Sequence, residues 1–104
     1  MLAARTGEKA AYAKGEILKD ISPKGKLEIA GGFDMTNPES IETAVELLPD
    51  RKPFDVVFFQ VGGVFFTDDY SYLEYHGKKI EKTIFQNVIG SYITLINMEA
   101  KGLI

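Results

Sequence analysis

Cysteine is absent from this chain, histidine occurs once, at His76, and proline occurs four times, each time at a boundary between elements. Without cysteine there is no disulfide, no thiol nucleophile and no cysteine-ligated zinc. A single histidine cannot build a multi-histidine metal site, and its polar surroundings mark it as a surface residue, so no metal is expected. No apolar run approaches the roughly 20 residues of a membrane span. The opening Met1-Leu2-Ala3-Ala4-Arg5 is too short for a signal peptide, and the expectation is a cytoplasmic protein. An excess of one charge is also lacking: 12 basic against 15 acidic residues give a net charge of −3. With no long basic run, nothing favours nucleic acid or an anionic membrane as partner. The 104 residues allow a single domain, 1–104, that buries about two-thirds of its unfolded surface.

What the chain does have is the run Asp55-Val56-Val57-Phe58-Phe59-Gln60-Val61-Gly62-Gly63, apolar on both faces until it stops at glycine. A strand covered on both faces loses the alternation of a half-buried one, so this run predicts a central strand of a parallel sheet. Ligands of open parallel sheets bind beyond the carboxyl ends of the strands, which puts Gln60, Val61, Gly62 and Gly63 on the ligand side. The paired glycines either admit a flat ligand or only make the turn.

Leu2-Ala3-Ala4 is a short strand that ends at Arg5. Thr6 can cap a helix over Glu8 to Ile21, whose Ala10, Ala13, Ile17 and Ile21 share a face. Leu27 to Ala30 alternates as a strand and leads through Gly31-Gly32 to Phe33-Asp34-Met35-Thr36. Asn37-Pro38-Glu39 has the chemistry of a helix start, and Ile41, Ala44, Val45 and Leu48 give the helix an apolar face, stopped by Pro49. Residues 64–77 keep no steady period and suggest an exposed loop. From Lys78 to Ala100 the spacing predicts a long helix whose apolar stripe is too wide for one sheet alone. The excess calls for a second copy of the chain or a neighbouring helix. Gly102-Leu103-Ile104 resembles the opening of another strand. Strands and helices in alternation predict an α/β fold with a parallel sheet.

Several side chains could carry chemistry. Asp34, at the ligand edge, can accept a hydrogen bond from an amino group of a bound base or serve as a turn residue. Arg5 ends a strand at the same edge, where a guanidinium suits a phosphate, though a surface arginine is the simpler reading. Asn87 lies in the long helix among apolar neighbours, and its amide must find partners or lose about 1–3 kcal/mol. A partner in the core, a water near the ligand and solvent would each serve. Tyr75 and Lys79 have Tyr-x-x-x-Lys spacing, but Gly77 interrupts them and no serine stands at a fitting distance upstream. Asp68 and Asp69 have too few companions for a metal site.

In order and spacing these pieces resemble the nucleotide-binding half of the short-chain dehydrogenase/reductase family. The resemblance rests on the strand ending in Ala3-Ala4-Arg5, the strand ending in Asp34-Met35-Thr36, the helix opened by Asn37-Pro38-Glu39, the turn Gln60-Val61-Gly62-Gly63 and the helix containing Asn87-Val88-Ile89-Gly90. It implies a partial doubly wound, Rossmann-like parallel sheet that lacks the first strand and everything after the long helix. It implies hydride transfer between NADP and a carbonyl or alcohol substrate in the complete enzyme. Arg5 would meet the 2′-phosphate, and the lack of an acid at Ala4 agrees with NADP over NAD. Asp34 would contact the adenine amino group, with Met35 beside the ring. Gln60, Val61, Gly62 and Gly63 would flank the ribose, the first two departing from the family's Asn-Ala-Gly-Gly. Asn87 would be the catalytic asparagine, and the helix over residues 78–100 part of a homo-oligomer interface. The Gly-rich turn, the serine and the catalytic Tyr-x-x-x-Lys are missing, so this chain is not expected to transfer hydride unaided. A non-catalytic α/β binding or oligomerisation module is the alternative.

Overall fold

The computed structural model describes residues 1–61 and 81–104. Strand β1 (Leu2–Ala3) pairs in parallel with β2 (Ile29–Ala30), Leu2 opposite Ile29 and Ala3 opposite Ala30, in a two-stranded sheet. The Leu2 amide donates to the Glu28 carbonyl at 2.8 Å and the Ala4 amide to that of Ala30 at 3.0 Å. A parallel pair needs a crossover, here helix α1 (Gly7–Asp20), which starts where the Thr6 hydroxyl accepts from the Lys9 amide at 3.2 Å. The exit of β2 lies against the start of α1 so closely that a Cβ on Gly31 would stand 2.8 Å from Gly7 Cα. Gly32 then turns the chain with φ +84°.

Asn37 opens helix α2 (Pro38–Glu46) by accepting the amides of Glu39 at 3.1 Å and Ser40 at 3.2 Å. The expected face of α2 is buried: Ile41, Ala44 and Val45, with Leu48 just beyond. They form the core with Phe33, Met35, Met98 and Leu103. Residues 81–84 are helical, a π-helical turn follows over Phe85–Ile89, and helix α3 (Gly90–Ala100) packs on α2. Residues 78–80, where the long helix was expected to begin, lie outside the described part.

Two devices lock α3 in place. At its end the Leu103 amide reaches back to the Met98 carbonyl at 2.8 Å and the Gly102 amide to that of Glu99 at 2.9 Å, with Gly102 at φ +77°. This double bond pattern with a left-handed glycine is a helix stop, and the accompanying contact is between buried Met98 and Leu103. The Lys101 ammonium donates to the carbonyls of Val45 at 3.2 Å, Glu46 at 2.6 Å and Leu48. A cation at the negative end of α2 is favourable and ties the two helices together.

The coarse class agrees with the expectation: helices joined to a parallel strand pair. Three finer expectations do not hold. Residues 55–61 are not a strand buried on both faces. The Phe54 amide donates to the Leu103 carbonyl at 2.8 Å, but beyond it residues 55–61 make no backbone hydrogen bond to other described residues. Val57 and Val61 pack on the core, while Val56 is 65% and Phe58 84% exposed. The run has the composition of a central strand and, among the described residues, lacks the neighbours that would make it one. Second, of the face expected inward on α1 only Ala10 is buried, and Ala13 and Ile21 are exposed, because two strands are too narrow to cover it. Third, Gly102 to Ile104 closes α3 instead of opening a strand. Among the described residues no helix is long and apolar enough to cross a membrane.

One substitution should act with opposite signs at two glycines. At Gly15, inside α1, an added Cβ meets nothing within 4 Å, so Gly15→Ala is expected to stabilise by roughly 1 kcal/mol. At Gly90 an added Cβ would strike the Met35 carbonyl and lie 3.0 Å from its carbon. Gly90→Ala is therefore expected to lose more than the roughly 1 kcal/mol gained in helix propensity. Urea unfolding of both variants measures this.

Candidate functional site

The narrow sheet leaves one edge of β1 open, and residues 54–61 run past it at a distance that leaves a cleft of about 1160 Å³. One wall is Met1 to Arg5, the other Phe54 to Val61, and Phe33, Met35, Thr94 and Met98 lie between them. Five residues singled out in the sequence, Arg5, Asp34, Met35, Gln60 and Val61, line this cleft together. They come from three separate segments: the residues after β1, those after β2, and the run over 54–61.

Asp34 is held by a turn of its own making. Its Oδ1 accepts from the Thr36 amide at 2.9 Å and from the Thr36 hydroxyl at 2.6 Å, the geometry in which an aspartate mimics a backbone turn. The Thr36 hydroxyl, and then the Thr36 amide, hold the Asp34 carboxyl below its ordinary value; partial burial opposes this, and the nearby charges of Arg5 and Lys82 reinforce it. Asp34 is therefore a carboxylate at neutral pH, with Oδ2 free of hydrogen bonds among the described residues. Met35 is buried, its sulfur 3.5 Å from the Thr94 hydroxyl, which itself donates to the Gly90 carbonyl at 2.8 Å. Arg5 is exposed and makes no ion pair among the described residues.

Asn87 is not among the lining residues. It sits in the π-helical turn, is exposed, and its Nδ2 donates to the Thr83 carbonyl at 2.7 Å, one turn back. Of the alternatives weighed for its amide the exposed position agrees with the one that faces solvent, and the bond to the backbone of its own helix was not among them. Single π-helical turns within α-helices are frequent at functional sites. Gly62, Gly63, Asp68, Asp69, Tyr75, His76 and Lys79 lie outside the described residues. Among those described, no group of three or more His, Asp or Glu is placed to hold a metal ion.

Three lining residues escaped the sequence reading. Thr36 was detectable, since Asp-x-Thr after a strand is the signature of the turn it makes. Lys82 carries no signal in the sequence beyond that of a solvated helix lysine, and only the fold brings its charge toward Asp34. Gln86 gave no signal at all. Its Oε1 is buried without a hydrogen-bond partner, a state that costs about 1–3 kcal/mol. Comparison of the chain with protein-family models, with curated proteins and with solved structures gives no match.

The depressed Asp34 value has a pH signature. A carboxyl whose folded pKa lies below its unfolded one, about 3.9, stabilises the fold above that unfolded value, and the contribution disappears as pH falls through the folded value. Thr36→Val removes the hydroxyl donor and keeps the amide. The variant is expected to raise the Asp34 pKa, read from its carboxyl NMR resonance, and to lose about 1 kcal/mol of stability at neutral pH. That loss should shrink as pH drops below the folded value.

Proposed function

We propose that this chain is part of the nucleotide-binding domain of an NADP-preferring short-chain dehydrogenase/reductase, with a partial doubly wound, Rossmann-like sheet. The observation that carries the reading is that Arg5, Asp34, Met35, Gln60 and Val61 line one cleft together, on the ligand side expected of the strand ends of such sheets. The donor set suits the adenosine half of NADP. Arg5 would pair with the 2′-phosphate, Oδ2 of Asp34 would accept from the adenine amino group, Met35 would lie beside the ring, and Gln60 and Val61 would flank the ribose. The nicotinamide, when bound in the complete enzyme, supplies hydride exchange with a carbonyl or alcohol. Asn87 is the residue of this chain assigned to the catalytic group, as a positioning residue for proton transfer. No phosphate-cradling glycine turn stands among the described residues, so the chain alone is assigned binding of the nucleotide and not turnover.

The test compares adenosine 2′,5′-bisphosphate with adenosine 5′-monophosphate by ligand-observed NMR. The bisphosphate is expected to bind more tightly. Arg5→Ala should abolish that difference, because a charge-assisted contact of about 1.5–3 kcal/mol is roughly ten- to a hundredfold in affinity. Equal binding of the two nucleotides to the unaltered chain would sink the NADP assignment.

One observation favours the second reading, an oligomerisation module. Ile84, Val88, Tyr92 and Ile96 recur every fourth residue along the long helix and all are exposed. Such a line, contiguous and apolar, fits a second copy across a two-fold axis. Light scattering of the unaltered chain is then expected to show a concentration-dependent dimer that Val88→Lys returns to monomer. A monomer at every concentration would remove this reading and leave the nucleotide one untouched.

A further inference from the structure

Three features of the fold meet at Gly90. Its amide donates to the Phe85 carbonyl, five residues back, and so closes the π-helical turn Phe85–Ile89 that carries Asn87. Its carbonyl accepts from the buried Thr94 hydroxyl at 2.8 Å, and that hydroxyl stands 3.5 Å from the Met35 sulfur. Its Cα lies against the backbone of Met35: a Cβ there would be 3.0 Å from the Met35 carbonyl carbon and from Met35 Cβ, and closer still to the carbonyl oxygen. Met35 in turn stands between Asp34 and Thr36, whose hydrogen bonds to each other define the turn after β2. One glycine thus joins that turn to the helix that carries Asn87.

A π-helical turn bonds residues five apart and is rare, so the surroundings decide where one falls. Each residue of an α-helix turns the chain by about 100° around the axis. Moving the extra residue of the π-helical turn, or losing it, would therefore swing Asn87 around the helix relative to α3. Helix α3 itself is held, by Lys101 to the end of α2 and by the bonds of Gly102 and Leu103 that close it. We infer that Gly90 is a positioning residue for Asn87: the Met35 backbone seated on it keeps the π-helical turn in register, and through that seat a ligand gripping the Asp34 turn sets the direction of the Asn87 amide. The inference rests on the nucleotide reading for what Asn87 does and for which ligand the turn grips; that Gly90 sets Asn87 stands apart from it.

Asn97 supplies an internal comparison. Its Nδ2 donates to the Ile93 carbonyl at 2.9 Å, the same four-residue bond that Asn87 makes to Thr83 at 2.7 Å, but it lies in α3 beyond the seat. The experiment follows the side-chain amide resonances of both asparagines by NMR on the whole chain. Gly90→Ala is expected to shift the Asn87 resonances and leave those of Asn97 in place. Ser91→Ala, one turn from Asn87 on the same helix, is expected to move neither. Should Gly90→Ala fail to fold, Thr36→Val, which disturbs the turn that presents Met35, takes its place with the same expectation. Asn87 unmoved in that variant, or moved as far by Ser91→Ala, would overturn the inference. Adenosine 5′-monophosphate is then added to the unaltered chain, its binding read from its own signals. Bound nucleotide should shift Asn87 and not Asn97; bound nucleotide with Asn87 unmoved would overturn the inference. No binding at all would overturn the nucleotide reading alone, and the variants still decide the role of Gly90.

Discussion

A parallel strand carries hydrogen-bonding groups on both edges, and among the described residues β1 satisfies those on one edge alone. The consequences run through the described part of the molecule. With no strand beside Ala3 there, residues 55–61 pair with no described strand and are held to the described core by Val57 and Val61. With two strands in place of a wider sheet, α1 finds cover for Ala10 and for little else. The fold is kept together elsewhere, by α2 against α3. There Ile41 and Leu103 are almost fully buried, the Lys101 ammonium caps the end of α2, and Gly90 admits the backbone of Met35 at a distance no other residue allows.

This division decides how firmly each part of the candidate site is held. Asp34, Met35 and Thr36 belong to the well-packed half. Met35 is wedged against Gly90 and Thr94, and the turn before it is pinned where the Ser40 hydroxyl donates to the Gly32 carbonyl at 2.6 Å. Arg5 belongs to the other half. Its backbone is anchored, its carbonyl accepting from the Gly32 amide at 3.1 Å, but its side chain is exposed. A fixed carboxylate thus stands near an exposed cation. The ion pair of Glu28 with Arg51 at 2.6 Å, and the Arg51 guanidinium 4.2 Å from the Phe54 ring, fasten the start of the far wall to β2. That wall is therefore attached at its base and, above it, where Val57 and Val61 pack on the core.

Helix starts were legible in the sequence because they are local. Thr6 and Asn37 each need only the next three residues to act as caps, and both do so. The face of α2 was legible for the same reason. The role of 55–61 was not, because a run such as Val-Val-Phe-Phe states what surroundings a segment is suited to, and the surroundings must come from elsewhere in space. Gly102 was misread since glycine before two apolar residues fits a strand opening and a helix stop equally well, and only the bonds to Met98 and Glu99 separate them. The π-helical turn and the stranded oxygen of Gln86 have no counterpart in residue spacing. Asn87 was expected among apolar neighbours from its helical position, and the π-turn sets it at the surface.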